Sequence, residues 1–177
     1  MREVFVDYLP QLNAAVEELI AHASFHKLVD GLKDQLQHTS EPFVWSTVDL
    51  PFGLPETIKS GWIFVLKKDV RSGCHYHPNS IQQMVMIEGE GTSKVGASSR
   101  QMRRLGEPDT SLDDVWYVIP EGVPHEFFPS GSDVVVVSFH TCASDELREI
   151  SCDSGATRNY ESSNLPASDL DLGRVIK

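Results

Sequence analysis

Cys74-His75-Tyr76-His77-Pro78-Asn79-Ser80-Ile81-Gln82-Gln83, written CHYHPNSIQQ, decides how the rest of this chain is read. Two histidines alternate. On a β-strand, side chains at i and i+2 leave the same face, so both imidazoles can reach one ion. An alternating pair is weak as a signal, but its surroundings strengthen it. Pro78-Asn79 is a turn signal, Gln82 opens an apolar run, and that run ends at Glu88-Gly89-Glu90-Gly91. Far downstream, Pro120-Glu121-Gly122-Val123-Pro124-His125 places a third histidine directly after a tight turn.

Outward from this stretch the chain is rich in short β-type runs. FVWSTVDL from Phe43, GWIFVLKK from Gly61, QQMVMIEG from Gln82, VWYVIP from Val115, HEFF from His125 and DVVVVSF from Asp133 follow one another. Gly, Pro, Asn, Asp and Ser cluster between them. Many short strands without intervening helices predict an all-β sandwich or barrel. Pro129–Asp133 reads as a hairpin turn. Residues 96–114 read as a long polar hairpin loop, and its Arg100, Arg103 and Arg104 are expected to be solvated.

The flanks differ. Residues 11–37 carry helical spacing: Leu12, Ala15, Val16, Leu19 and Ile20 form one face, and Phe25, Leu28, Val29, Leu32 and Leu36 form another with a new phase. They predict a helical layer packed on the barrel or on a partner subunit, with His22, His26 and His38 at the surface. Beyond Cys142 the chain turns polar; Ser144–Ile150 reads as one short helix. The division expected is a helical extension (1–42), a barrel (43–143) and a polar tail (144–177).

Composition narrows the function classes. The 177 residues carry a net charge of −11, which repels a phosphate backbone and argues against a nucleic-acid partner. No apolar run is long enough to span a membrane, and the N-terminus lacks the apolar core of a signal peptide. The three cysteines, Cys74, Cys142 and Cys152, have no paired spacing and read as reduced thiols of a cytoplasmic protein.

The histidine pattern resembles the cupin superfamily. The first cupin motif appears as His75-Tyr76-His77, four residues, Gln82, six residues, Gly89; the second appears as Pro120, Gly122 and His125. The chain departs from the motifs at four places. Asp69 and Asp114 stand where glycine is usual, Pro129 where asparagine is usual, and Gln82 replaces a glutamate. The resemblance implies an antiparallel double-stranded β-helix, a jelly-roll barrel, with metal ligands inside. It makes His75, His77 and His125 the imidazole ligands of one divalent transition metal and Gln82 the fourth candidate. It also implies a homodimer.

Glutamine for glutamate removes one negative charge and offers a neutral carbonyl oxygen. If Gln82 ligates, the site is more cationic, a stronger Lewis acid, and favours anionic ligands. If it stands behind the ligands, three histidines hold the ion alone. Imidazole and oxygen donors suit Fe(II), Mn(II), Ni(II), Co(II) or Zn(II), with iron favoured. Met84 and Met86 share Gln82's strand face, Phe127 shares His125's, and His140 is a candidate acid or base whose direction alternation leaves open. Either Trp116 or Tyr117 points inward. The function expected is a metal-dependent enzyme acting on a small anionic organic molecule by non-haem iron dioxygenase chemistry. A redox-neutral lyase or isomerase using Mn, Ni or Zn, and a non-catalytic sensor, are the alternatives.

Overall fold

The computed structural model describes residues 8–50 and 53–160. Two helices come first, α1 (Leu9–Ala21) and α2 (Ala23–Gln37). Strands then form two sheets, and every strand pair is antiparallel. The first sheet has the spatial order β1 (Phe43–Val48), β2 (Ser60–Leu66), β9 (Val134–His140), β4 (Gln82–Glu88), β7 (Trp116–Ile119). The second runs β11 (Thr157–Asn159), β10 (Arg148–Ser151), β3 (His75–Tyr76), β8 (His125–Pro129), β5 (Gly91–Val95), β6 (Ser98–Gln101). The chain passes back and forth between the sheets, at β2 to β3, β3 to β4, β4 to β5, β6 to β7, β7 to β8, β8 to β9 and β9 to β10. This is the double-stranded β-helix.

The four consecutive valines of β9 explain the layering. Val134 and Val136 pack into the barrel interior with Trp62, Phe64, Met84 and Met86. Val135, Val137 and Phe139 face the other way and join Val44, Ile63, Val65 and Val85 in a second core. The helices close that second core with Leu12, Val16, Leu32 and Leu36, all fully buried. Strands covered on both faces read as continuous apolar runs, and β2 and β9 do so. The helical layer therefore covers this chain's own sheet. Its change of phase lies at His22, which is extended (ψ 134°) and separates α1 from α2. His22, His26 and His38 are exposed.

Several loop readings are corrected. Residues 96–114 hold strand β6 and a short helix, α3 (Leu112–Val115), instead of one long loop. Arg100 lies 3.9 Å over the Tyr117 ring and donates to the carbonyls of Asp113 and Trp116, whereas Arg103, paired with Glu107, and Arg104 are exposed as expected. Pro129–Asp133 joins strands of different sheets and so is a corner, not a hairpin. Ser144–Glu146 is a single 3-10 turn, and Arg148 onward is strand. Strands β10 and β11 extend the second sheet beyond residue 143; residues 161–177 lie outside the described residues. Of the two aromatic candidates, Tyr117 faces the interior and Trp116 the helical layer.

Two backbone positions show how the motif tolerates its departures. Asp69 takes a left-handed φ of 58°, the conformation glycine adopts most readily. Aspartate tolerates it, and here its Oδ1 also accepts the Gly131 N–H at 3.1 Å. Gly89 cannot be exchanged so simply. Its φ is 93°, and a Cβ there would lie 2.4 Å from the Asp133 carbonyl oxygen. Gly89→Ala is therefore expected to cost about 2–3 kcal/mol. Gly31→Ala in α2, where a Cβ meets nothing within 4 Å, should instead add about 0.5–1 kcal/mol. Thermal melts of the two variants check this; a Gly89→Ala protein as stable as wild type contradicts it.

Candidate metal centre

Strand β3 lies between β8 and β10. His75 on β3 is the cross-strand partner of His125 on β8. His77 follows just after β3, on the same side as His75. One ring nitrogen from each of the three lies within 4.8 Å of the other two. All three side chains are buried, His125 with 1% exposure.

Backbone carbonyls fix the rings. His75 Nδ1 bonds Gly73 O at 2.9 Å, His77 Nδ1 bonds Arg148 O at 2.7 Å and His125 Nδ1 bonds Val123 O at 2.9 Å. A carbonyl only accepts, so each Nδ1 carries a proton, and in a neutral ring that leaves Nε2 with the lone pair. Carbonyl partners of this kind hold metal-binding imidazoles in the ligating tautomer. Burial, and then the neighbouring His75, push the His77 pKa down to about 4. Burial also carries His125 well below the ordinary histidine range. Both rings are therefore neutral, as ligands must be.

The opposite sheet supplies Gln82, which borders the same cavity as His75 and His77. A relay of hydrogen bonds sets its amide. Ser80 Oγ donates to Ile81 O and so accepts from His140 Nδ1 at 3.1 Å. His140 Nε2 then accepts from Ser138 Oγ at 3.1 Å, and Ser138 accepts from Gln82 Nε2 at 3.1 Å. With its nitrogen committed to Ser138, Gln82 has its Oε1 buried and without a hydrogen-bond partner. His125 Nε2 is likewise buried and unpartnered. Buried acceptors without donors are costly, and a cation satisfies them together. The donor set therefore fits a divalent transition metal.

His140, the residue whose direction strand alternation left open, faces the barrel interior. Its ring centroid is 5.2 Å from that of His77, but it does not line the cavity. Both its nitrogens are occupied, and burial holds its pKa well below the usual range. Met84 and Phe127 line the cavity as their strand faces predict, whereas Gln83 belongs to the other face of β4. The cavity measures about 30 Å³ and its walls are largely apolar, including Phe43, Phe64, Leu66 and Val136.

The sequence reading missed the groups that arrive from the C-terminal strands. Glu149 on β10 places Oε2 3.7 Å from His75 Nε2. Tyr160 lines the cavity and donates its hydroxyl to Glu149. Nothing in the spacing of these residues marks them; the one available signal was a carboxylate alternating with residues of a short, otherwise unremarked strand.

No protein-family model and no curated protein matches the chain at the level of sequence. Solved structures match it in fold. The salicylate 1,2-dioxygenase of Pseudaminobacter salicylatoxidans aligns over 66% of this chain and 33% of that one, at 12% identity and a TM-score of 0.51. An oxalate oxidase in complex with the substrate analogue glycolate aligns over 58% of this chain and 52% of its own, at 18% identity and a TM-score of 0.44. The Schizosaccharomyces pombe Cnp3 cupin domain aligns over 57% and 65%, at 10% identity and a TM-score of 0.44. The chain thus spans about half the length of the oxalate oxidase and a third of the dioxygenase. At such identities the likeness is one of fold, and the fold is the cupin barrel with a small helical N-terminal part. Among the described residues, no helix is long and apolar enough to cross a membrane.

Proposed function

We propose that this cupin barrel is a metal-dependent enzyme acting on a small anionic organic substrate, with His75, His77 and His125 holding one divalent transition metal. The observation that carries the reading is the convergence of three buried imidazoles whose Nδ1 atoms are all tied to carbonyls. Fe(II) is the favoured ion, and dioxygenation the favoured reaction. Bound there, such an ion supplies Lewis acidity and, if iron, redox chemistry with dioxygen.

The chain's own residues do the rest. The carbonyls of Gly73, Arg148 and Val123 keep the rings in the ligating tautomer. Gln82 presents a neutral carbonyl oxygen, held by Ser138, and His140 acts through that relay as a positioning residue and not as an acid or base. The largely apolar walls keep the surroundings of the site dry. A small-molecule partner, a reducing cytoplasmic setting and pairing of two copies belong to the same proposal; they rest on the resemblance and on the thiol count.

Metal analysis of protein purified without added metal, together with oxygen uptake over a panel of small carboxylates, thiols and diketones, tests this. Iron with uptake is the expected result. Zinc or manganese with turnover but no uptake would favour the redox-neutral lyase or isomerase. Protein from metal-replete medium that carries no ion would sink the reading.

A further inference from the structure

A carboxylate stands beside the triad although neither histidine motif contains one. Glu149 is 7% exposed, and its Oε2 lies 3.7 Å from His75 Nε2. A carboxylate buried to this degree is costly unless a positive charge lies beside it. The carboxylate does not drift there by chance. Tyr160 donates its hydroxyl to the same Oε2, and burial, with Glu149 second, keeps that phenol protonated by raising its pKa well above the ordinary value. On the other oxygen, Arg158 Nε approaches only to 3.9 Å. Arg158 is 34% exposed and is shared with Glu41, so this screened contact offsets little of the charge. Glu149 stands at the edge of the triad and outside its mutual 4.8 Å spacing.

We propose that Glu149 is the charge-balancing carboxylate of the metal centre, delivered by β10 to face the ion and to bring the negative charge that Gln82 lacks. The proposal rests on the reading of the triad as a metal centre. Sheet order makes it possible: β10 pairs with β3, so a residue far along the chain from His75 reaches the same side of the same sheet. With a divalent ion, three neutral imidazoles and one carboxylate, the centre carries a net charge of about +1. A singly charged anion neutralises it, which narrows the substrate class to monoanions.

The test is calorimetric titration of Co(II) into metal-free wild type, Glu149→Gln, Tyr160→Phe and His125→Ala, with the visible spectrum of bound cobalt as a second readout. Glutamine keeps the shape and the acceptor for Tyr160 and removes only the charge. Glu149→Gln is expected to weaken cobalt binding about 10–100-fold and shift the spectrum, while Tyr160→Phe stays within about threefold of wild type. If the Glu149–Tyr160 contact is merely structural, Tyr160→Phe will be at least as damaging as Glu149→Gln, and the proposal falls. Unchanged affinity and spectrum in Glu149→Gln overturn it as well. Wild type that takes up no cobalt, or His125→Ala that retains it fully, overturns the triad reading and this proposal with it; the loss is then traced to the histidines and not to Glu149.

Discussion

His125→Ala is expected to abolish tight metal binding. His125 sits opposite His75 in the register of β3 and β8, and its Nε2 has no other use: it is buried and has no hydrogen-bond partner. Four-ligand structural zinc sites bind with about 10–16 kcal/mol in total, so one imidazole is worth roughly 3–4 kcal/mol. That corresponds to about a 150–800-fold loss of affinity. Metal content after purification and a calorimetric Kd measure it directly. The same variant should lose the metal-dependent rise in melting temperature that wild type shows, because an ion stabilises only the state that binds it. A His125→Ala protein that still carries a full equivalent of metal would mean that the ion, if any, lies elsewhere.

The second large effect is acid sensitivity of the metal-free protein. His77, His125 and His140 are all held below the usual histidine range, chiefly by burial. The sign follows from proton linkage. In the unfolded chain each histidine titrates near 6.5, while in the fold each resists protonation to a lower pH. Above about 6.5 neither state binds the proton and stability is unaffected. Below it the unfolded chain binds protons that the folded one refuses, so stability falls as pH falls. His77, with its pKa pushed down to about 4, alone accounts for roughly 3 kcal/mol lost between pH 6.5 and 4. His125 and His140 act in the same direction. Thermal melts in the presence of a chelator should therefore show a steep fall in melting temperature between pH 7 and 4.5. A flat profile there would mean that these rings are not buried as neutral groups. Adding metal should move the fall to lower pH, since ion and proton compete for the same lone pairs of His77 and His125.

How far the sequence carries depends on the range of each interaction. The six apolar runs each became a strand, because alternation and turn chemistry act between neighbours a few residues apart. The histidine pair at β3 and just after it and the histidine after the Pro120–Pro124 turn were likewise visible from local spacing, and the structure brings all three together. β3 itself is only two residues long, and β10 and β11 are short and mixed in polarity. Their strand character comes from pairing across the sheet, which no window of sequence displays. His140 shows the boundary well. Its inward direction follows from strict alternation along Val134, Val136, Ser138 and His140, but the phase of that alternation is set only when the helices cover Val135, Val137 and Phe139.

Local chemistry by itself thus determined the barrel, the helical layer and three of the groups that face the proposed ion. Residues near in sequence share one strand face, and that geometry is fixed by the backbone. Only the tertiary structure decided how Gln82 is turned and that Glu149 stands beside the triad. Both depend on groups brought from distant strands: Ser138 and His140 from β9 bond along one line to Gln82, and β10 carries a carboxylate against β3. The glutamine suggested a centre without a carboxylate; strand order, which spacing cannot express, places one 3.7 Å from His75.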